Sequence, residues 1–337
     1  MCKALMEKDS LEFTDIKEAE ERIAPYVRRT PLLRSTFLSR VAQGEIYLKL
    51  ENLQELSSFK IRGMVNKVLT LDDRAREKGV VVVSSGNHAI AASYCGRLWH
   101  MPVEVYVPRV TPRTKVEKIK AFGARVHIVG DSYDECARIM REERGELPDR
   151  TRVYVDSSSD PAVVAGYGTI GTEILEQHPA LDQVVVPVGG GGLITGIGLA
   201  VKTLSPQVKV LGIQTEACPA MVASLRDGRA YEEYPSDPSI CEALAGGIGL
   251  LPFAYAPRCI DAVCVTSEES IKEALGCLLL QDKVLAEPSG AIAAAYVLEN
   301  PQEFRGKNTV LVISGGNISF QILLDQIRAL AGEQNEQ

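Results

Sequence analysis

Two kinds of hydrophobic pattern alternate along this chain. Short runs of aliphatic residues, such as Val80–Val83, are apolar throughout, and the segments between them repeat apolar residues at helical spacing. Strands are predicted at residues 45–50, 80–84, 103–107, 125–129, 152–155, 183–188, 208–214, 262–265 and 308–313. Helices are predicted between most of them, for example at 87–98, 112–121, 132–146, 161–178, 192–203, 268–281 and 289–299. Fully apolar strands are typical of parallel sheets covered by helices, so the pattern predicts an α/β fold.

The composition permits one large domain or two domains, and it argues against two classes of partner. A chain of 337 residues is long enough for two domains, and 45% hydrophobic with 24% charged residues is typical of globular proteins. The net charge is −7, from 37 basic and 44 acidic residues. We therefore expect neither nucleic acid nor an anionic membrane as a partner, because both attract basic surfaces.

Cysteine spacing and the N-terminal segment bear on metals and on the compartment. The eight cysteines include no C-x-x-C pair and no cluster with histidine, so we expect no metal site. Residues 1–21 are charged and lack the apolar core of a secretory signal. The longest apolar stretch, residues 193–201, is too short to span a bilayer. These features predict a reducing, cytoplasmic location without disulfides.

A lysine stands where a helix is predicted to begin. The sequence Ser-Ser-Phe-Lys, which ends at Lys60, follows the first predicted strand and opens a segment of helical spacing. Ser57 or Ser58 can cap this helix. Lys60 then lies in the first turn, where the helix dipole disfavours a positive charge. An amine held there by packing suits a nucleophile or a Schiff-base partner, and the alternative is an ordinary solvated lysine.

A polar turn, made of Ser84, Ser85, Gly86, Asn87 and His88, follows the second predicted strand. Small residues allow backbone N–H groups to approach a ligand, and the start of the next helix favours an anion. The alternative interpretation is a helix cap with a turn. His88 is expected to pack against its helix rather than to act as a base.

Four consecutive glycines, Gly189, Gly190, Gly191 and Gly192, follow the sixth predicted strand and lead into a helix that starts near Leu193. Glycines cost conformational entropy and add no packing, and a simple turn needs only one or two of them. A backbone nest around a phosphate needs several. This run therefore predicts a phosphate site.

Two further turns and one misleading motif complete the set of candidates. Residues 287–290, Glu-Pro-Ser-Gly, enter an alanine-rich helix and can be explained by tight packing alone. Residues 314–317, Ser-Gly-Gly-Asn, end an apolar strand, which is where ligands bind in open α/β sheets.

Residues 166–171 match the spelling of a dinucleotide-binding motif. They follow no strand and have no acidic residue at the required distance, so we interpret them as close packing of one helix. The polar stretch 156–161 is the best candidate for a crossing between domains.

Together these segments resemble the pyridoxal-phosphate enzymes of the tryptophan-synthase-β fold type, in particular the branch of threonine/serine dehydratases and serine racemases. The resemblance runs from the Thr-Pro-Leu at residues 30–32 to about Ile327. It rests on five ordered motifs: Ser-Phe-Lys-Ile-Arg-Gly at 58–63, Ser-Ser-Gly-Asn-His at 84–88, the four glycines with Leu193, Glu-Pro-Ser-Gly at 287–290 and Ser-Gly-Gly-Asn at 314–317.

The resemblance implies a role for each candidate residue. Lys60 would be the lysine that carries pyridoxal phosphate, and Phe59 would lie beside its ring. Gly189 to Gly192 and Leu193 would hold the phosphate through backbone N–H groups. Asn87 would bind the ring hydroxyl and Ser314 would face the pyridine nitrogen, while residues 84–88 would receive the carboxylate of a small amino-acid substrate.

The resemblance also implies an architecture. A small domain at residues 53–156 would be inserted in a large domain made of residues 1–52 and 157–337. A homo-oligomer, a dimer or a tetramer, is expected. The chain ends soon after Leu330, so we expect no fused regulatory domain of the kind that senses isoleucine.

The implied activity is elimination. A neutral serine at the ring nitrogen does not keep that nitrogen protonated, so a departing β-substituent becomes the favoured outlet. The freed amine of Lys60 would remove the α-proton. The expected function is an ammonia-lyase that converts L-threonine or L-serine to a 2-oxo acid and ammonia.

Three departures from the family pattern leave alternatives open. Ser85 stands where dehydratases often have alanine and racemases have serine, which supports a serine racemase as the alternative. Val222 replaces an acidic residue of the cation site that usually begins at Glu216, so no cation is expected. The usual Ala-Asp-Gly segment is altered at residues 241–247, so the substrate can also be that of a dehydratase-like enzyme, as in hydroxyectoine breakdown. A β-replacement enzyme and a non-catalytic binding protein are disfavoured by the motif at 58–62 and by Lys60.

Overall fold

Two sheets and the helices around them make up the part of the chain that the computed structural model describes, residues 10–146 and 152–335. Its strands are β1 (Leu32–Arg34), β2 (Glu45–Leu50), β3 (Val80–Val83), β4 (Val103–Val107), β5 (Arg125–Ile128), β6 (Val153–Tyr154), β7 (Gln183–Pro187), β8 (Lys209–Thr215), β9 (Ala262–Thr266) and β10 (Asn308–Ile313). Its α-helices are α1 (Phe13–Ile23), α2 (Thr36–Ala42), α3 (Lys60–Thr70), α4 (Asp73–Lys78), α5 (Asn87–Leu98), α6 (Arg113–Lys120), α7 (Tyr133–Glu146), α8 (Pro161–Gln177), α9 (Gly192–Leu204), α10 (Ala220–Asp227), α11 (Leu250–Cys259), α12 (Glu268–Cys277), α13 (Pro288–Glu299) and α14 (Phe320–Asn335).

The strands form a six-stranded sheet in the order β1-β2-β10-β7-β8-β9 and a four-stranded sheet in the order β5-β4-β3-β6. All neighbouring strands are parallel except β1, which runs antiparallel to β2. The valines of β3 and the central residues of β7 are buried on both faces, as a helix-covered sheet requires. The α/β prediction is confirmed. The division into an inserted small domain stays a prediction, although the four-stranded sheet takes all its strands from residues 80–154.

The pattern missed elements that are too short to show a period. Strand β1 has three residues, and helices α2 and α4 have seven and six. A strand this short contains barely one alternation of apolar and polar positions, and these helices complete fewer than two turns. The predicted strand at 152–155 shrinks to the two residues of β6, the first of them paired with Val80.

The glycines of the misleading motif lie inside α8. A Cβ atom at Gly166 would lie 2.6 Å from the carbonyl oxygen of Arg62, and one at Gly171 would lie 2.9 Å from the Cβ of Ala200. At Gly168 it would lie 2.5 Å from the Cδ1 of Ile16. Distances this short require glycine, because helices α1, α3 and α9 pack directly on the backbone of α8. The interpretation as close helix packing is confirmed.

A buried ionic cluster joins β2, α3 and α8. Arg62 is fully buried, and its guanidinium donates to both carboxylate oxygens of Glu51 at 2.9 Å and to both oxygens of Glu173 at 2.6 and 3.0 Å. Lys49 also donates to Glu173, at 2.5 Å. Burial raises the pKa of the Glu173 carboxyl, but the charges of Arg62 and Lys49 outweigh this effect and hold the pKa below its usual range. Two cations and two carboxylates thus neutralise one another inside the core.

Replacing Arg62 with methionine tests this cluster. Arg62→Met leaves two buried carboxylates without their main partner, so the free energy of unfolding should fall by about 3–5 kcal/mol. Urea unfolding measures the change. Arg34→Met is the matched control, because Arg34 pairs with Glu45 at the surface, where both side chains are 45% exposed, and such pairs contribute little. Equal losses in the two variants would contradict the dominant role of the cluster.

Candidate active site

The predicted cofactor lysine and the turn after β10 are joined by backbone pairing. Phe59 N–H donates to the carbonyl oxygen of Ser314 at 3.2 Å, and Gly316 N–H donates to that of Ser57 at 2.8 Å. Lys60 is the first residue of α3, as predicted. The predicted serine cap is wrong: Phe59 occupies the cap position. The backbone therefore brings together two motifs that lie far apart in the sequence.

The amine of Lys60 lies against aromatic rings. Its Nζ is 4.9 Å from the ring centre of Phe59 and 5.5 Å from that of Tyr167, and the two rings meet edge to face at 4.7 Å. Burial lowers the pKa of the Lys60 amine to about 8, although the carboxylates of Asp156 and Glu287 oppose the shift. Loss of solvation is thus the main cause of the lowered pKa. A neutral amine is accessible here near neutral pH, as a nucleophile or base requires.

The glycine run forms the turn between β7 and α9. Gly191 has a φ of +93°, a left-handed conformation that favours glycine. The N–H groups in the first turn of a helix have no partner within the helix, so the start of α9 offers donors to an anion. A Cβ at Gly190 or Gly192 would lie 2.8 Å from an atom of Ser158, and one at Gly191 would lie 2.6 Å from the Cβ of Pro252. Close packing is thus a second reason for the glycines.

The turn at 84–88 presents its backbone to open space. Gly86 N–H donates to the Oγ of Ser84 at 3.1 Å, which fixes the start of the turn. No heavy atom lies within 4 Å of the position that a Cβ of Gly86 would occupy. Ser85 is partly buried beside it. The turn can therefore accept a ligand at this point, as the sequence suggests.

His88 is packed beneath this turn. The residue is 3% exposed, and Nε2 lies 3.0 Å from the carbonyl oxygen of Val155, to which it must donate. Burial, together with the nearby charge of Lys60, lowers the pKa of His88 to about 4. A neutral, packed histidine agrees with the expectation that His88 does not act as a base.

Asn87 meets two residues of the other motifs. Its Nδ2 donates to Oε1 of Glu287 at 2.7 Å, and Asn317 Nδ2 donates to its Oδ1 at 2.7 Å. Burial raises the pKa of Glu287 to about 7, against the hydrogen bond from Asn87 and the charge of Lys115. Sequence reasoning treated the Glu-Pro-Ser-Gly turn as packing and did not identify Glu287. Its place in the ordered set of motifs was the available signal.

Asp156 is a second residue that sequence reasoning missed. One of its oxygens accepts hydrogen bonds from the backbone N–H groups of Ser158 and Ser159, both at 2.8 Å, and the other accepts from the hydroxyl of Tyr154 at 3.1 Å. Burial raises the pKa of the Asp156 carboxyl, but these bonds outweigh it and lower the pKa. Asp156 thus shapes the loop that packs against Gly190 and remains charged near Lys60. A polar stretch gave no sign of this role.

The region around Glu216 and Val222, where the family's cation site would lie, is held by hydrogen bonds within the protein. Glu216 accepts a bond from the backbone N–H of Glu268 at 3.0 Å, at the start of α12. The backbone N–H of Val222 donates to Oε1 of Gln214 at 3.2 Å. Across residues 10–146 and 152–335, no group of three or more histidine, cysteine or acidic side chains could hold a metal ion. The altered segment at 241–247 lies beside the glycine run, with the carbonyl oxygen of Ala243 3.1 Å from the Cβ position of Gly189.

The comparisons with known proteins define the class. Residues 23–315 match the family model described as pyridoxal-phosphate dependent enzyme. The chain is 43% identical over 313 residues to L-threonine ammonia-lyase from Thermotoga maritima, covering 92% of this chain and 76% of the relative. It is 36% identical over 309 residues to the catabolic L-threonine dehydratase of Escherichia coli, covering 91% and 93%. It superposes on maize serine racemase with a TM-score of 0.85 at 31% identity, covering 97% and 99%.

The chain therefore belongs to the family of pyridoxal-phosphate dependent enzymes, and the predicted family and cofactor are confirmed. Two features of this structure fit that cofactor. The start of α9, with Gly191 in its left-handed conformation, suits a phosphate. The Lys60 amine, with its pKa lowered to about 8, suits bond formation with an aldehyde. The described residues include no helix long and apolar enough to cross a membrane.

The pH dependence of cofactor capture tests the state of Lys60. Only the neutral amine attacks an aldehyde, so the rate at which apoenzyme recaptures pyridoxal phosphate should rise with pH and level off above about pH 8. Stopped-flow absorbance measures the rate. Asp156→Asn removes a charge that raises this pKa, so its profile should shift to lower pH. A rate that still rises at pH 10.5, the value of an ordinary lysine, would contradict the assignment.

Proposed function

We propose that this enzyme is an ammonia-lyase that eliminates the β-hydroxyl of L-threonine or L-serine and yields a 2-oxo acid and ammonia. The observation that carries the proposal is the partly buried amine of Lys60, whose pKa is lowered to about 8 between two aromatic rings. The names of two relatives, L-threonine ammonia-lyase and L-threonine dehydratase, support the same substrate class. Ser314, 5% exposed at the end of β10, is the neutral residue proposed to face the pyridine nitrogen.

The proposed cofactor site uses residues from turns and helix starts beside both sheets. Lys60 would carry the cofactor with Phe59 beside its ring, the N–H groups of the glycine run and Leu193 would bind the phosphate, and Asn87 and Ser314 would meet the ring. Pyridoxal phosphate, when bound, withdraws electrons from the α-carbon of an amino acid attached to it. The glycine run stands at the amino end of α9, where the helix dipole favours the phosphate charge.

The protein's own groups account for binding and proton removal. The open backbone at Gly86, in the turn made of residues 84–88, would receive the substrate carboxylate. Lys60 Nζ, neutral in a good fraction of molecules near pH 8, would take the α-proton. The two carboxyls near it, Asp156 and Glu287, would stabilise the resulting ammonium. Across the whole reaction the substrate loses water at the β-carbon and later takes up water at the α-carbon, releasing ammonia.

Ser85 favours a second candidate, a serine racemase. A single lysine reaches only one face of a planar substrate, so inversion needs a second proton donor on the opposite face. Ser85 lies in the turn proposed to hold the substrate carboxylate, and the chain is 31% identical to maize serine racemase. We propose elimination as the main activity, with racemisation as a side reaction. A further alternative is a dehydratase-like enzyme that acts on another β-substituted amino acid, as in hydroxyectoine breakdown. The altered segment at 241–247 supports this alternative.

We also infer a cytoplasmic homo-oligomer, a dimer or a tetramer. Six cysteines of the described residues carry free thiols, which agrees with a reducing compartment: Cys95, Cys136, Cys218, Cys241, Cys259 and Cys264. Cys2 lies outside the described residues. Phe320, at the start of α14, is 77% exposed, and an interface between copies would cover such a side chain. Size-exclusion chromatography with light scattering measures the assembly directly.

A panel of β-hydroxy amino acids tests the proposed activity. L-Threonine and L-serine should give a 2-oxo acid and ammonia in equal amounts, and Lys60→Ala should reduce the rate by at least about 1,000-fold, because the same amine binds the cofactor and moves the proton. Lys67→Ala is the control, because Lys67 lies on the same helix but pairs with Asp160. Borohydride reduction followed by peptide mapping should label Lys60. Label on another lysine, or no oxo acid from either substrate, would overturn the assignment.

Substitution of Ser85 separates elimination from racemisation. Ser85→Ala should suppress formation and turnover of the D-isomer by about 100-fold, the size of a lost general acid–base group, while much of the L-specific elimination remains. Chiral chromatography and an oxo-acid assay measure the two rates. Ser84→Ala is the control: it removes the hydrogen bond to Gly86, so both rates should fall together. The same joint fall in Ser85→Ala would show that Ser85 is only structural.

A further inference from the structure

Four side chains form a continuous row of hydrogen bonds that crosses from one sheet unit to the other. Lys118 Nζ donates to Oδ1 of Asn317 at 2.8 Å, and Asn317 Nδ2 donates to Oδ1 of Asn87 at 2.7 Å. Asn87 Nδ2 then donates to Oε1 of Glu287 at 2.7 Å. The row begins at an exposed lysine on α6 and ends at a partly buried carboxyl before α13.

The direction of this row is fixed by groups that can play only one role. An ammonium only donates, so Lys118 requires the oxygen of the Asn317 amide to face it. Asn317 Nδ2 also lies 2.8 Å from the carbonyl oxygen of Leu56, which only accepts. Both neighbours therefore impose the same orientation on Asn317. Its nitrogen must donate to Asn87, whose own nitrogen must face Glu287.

The orientation of Asn87 decides what it can offer a ligand. An amide nitrogen has two N–H groups, and one of those in Asn87 is used by Glu287. Its oxygen is engaged by Asn317. The unused N–H makes Asn87 a donor towards any further partner, and a donor stabilises an oxygen that carries negative charge.

Asn317 is well placed to control the orientation of the Asn87 amide. It follows β10 of the six-stranded sheet, whereas Asn87 begins α5 beside the four-stranded sheet. A second polar contact spans the same gap, since Lys115 of α6 donates to Glu242. The hydrogen bond between Asn317 and Asn87 therefore couples the relative placement of the two sheets to the orientation of one amide.

We propose that Asn317 is a positioning residue that holds the Asn87 amide as a hydrogen-bond donor to the ring oxygen of pyridoxal phosphate. The inference rests on the proposed role of Asn87 in cofactor binding. Without Asn317, Glu287 alone holds the Asn87 amide, and its carboxyl can donate as well as accept once it is protonated. The amide can then rotate and present its oxygen to the ring oxygen, so that two oxygens face each other. The cofactor should bind more weakly for this reason alone, without a change in the phosphate contacts of the glycine run.

The test compares two ligands on the complete apoenzyme. Pyridoxal phosphate and its analogue without the ring hydroxyl are titrated by fluorescence against the parent, Asn317→Asp and Asn317→Leu. The aspartate cannot donate to Leu56 or Asn87, and the leucine can neither donate nor accept. Both variants should bind pyridoxal phosphate about 10-fold more weakly, the effect expected for one hydrogen bond to a charged group. They should bind the analogue as the parent does.

Lys118→Met provides the matched control. The Leu56 carbonyl still fixes Asn317 in this variant, so its affinity for both ligands should equal that of the parent. Thermal unfolding of each apoenzyme shows whether it is folded, and the leucine variant serves if the new charge of the aspartate unfolds the protein.

The outcomes distinguish a failure of the Asn317 proposal from a failure of the proposed cofactor geometry. Equal weakening towards both ligands would overturn the proposal, because Asn317 would then act only through packing or sheet placement. Unchanged affinity for both ligands in a folded variant would also overturn it. If the parent itself binds the two ligands equally, Asn87 does not meet the ring oxygen, and the proposed cofactor geometry fails before Asn317 is considered.

Discussion

The buried pairing of Arg62 with Glu51 and Glu173 is the constraint on which the site depends. The guanidinium lies two residues after Lys60, so its bonds to Glu51, directly after β2, and to Glu173 of α8 fix the first turn of α3. No solvent is available to replace a lost partner at full burial, so the geometry must be satisfied completely. The close backbone contact between Gly166 and Arg62 allows the carboxylate of Glu173 to reach the guanidinium. Packing and electrostatics thus act together to fix the position of Lys60.

The electrostatics of the site result from opposing effects. Burial removes solvent from Lys60 and lowers the pKa of its amine, while Asp156 and Glu287 limit that fall to about 8. A stronger desolvation would leave an amine too weakly basic to accept a proton, and stronger pairing would keep it charged. Burial also raises the pKa of the Glu287 carboxyl to about 7. The pKa values of Glu287 and Lys60 therefore lie close together. The site therefore holds an amine whose pKa of about 8 suits the proposed role as a base.

The chain combines the motifs of its family with residues of its own near the proposed substrate position. The motifs proposed to hold the cofactor have the family spelling, whereas Ser85 and the segment at 241–247 depart from the dehydratase pattern. The loop at 156–161 is held by the Asp156 carboxylate, which accepts hydrogen bonds from the backbone N–H groups of Ser158 and Ser159. These departures border the glycine run and the open turn at Gly86. Differences in substrate preference among relatives should therefore arise here rather than at Lys60.

The sequence by itself determined the α/β class, the helix that starts at Lys60, the glycine run and the family. These features depend on local patterning, turn chemistry and motif order, which are present in short segments. The tertiary structure decided which carboxyls surround the lysine, because Asp156 and Glu287 reach it from distant parts of the chain. It also decided that the glycines pack against Ser158 and Pro252 and that Asn317 orients Asn87. Burial and hydrogen-bond partners depend on which distant segments meet, and no local pattern carries that information.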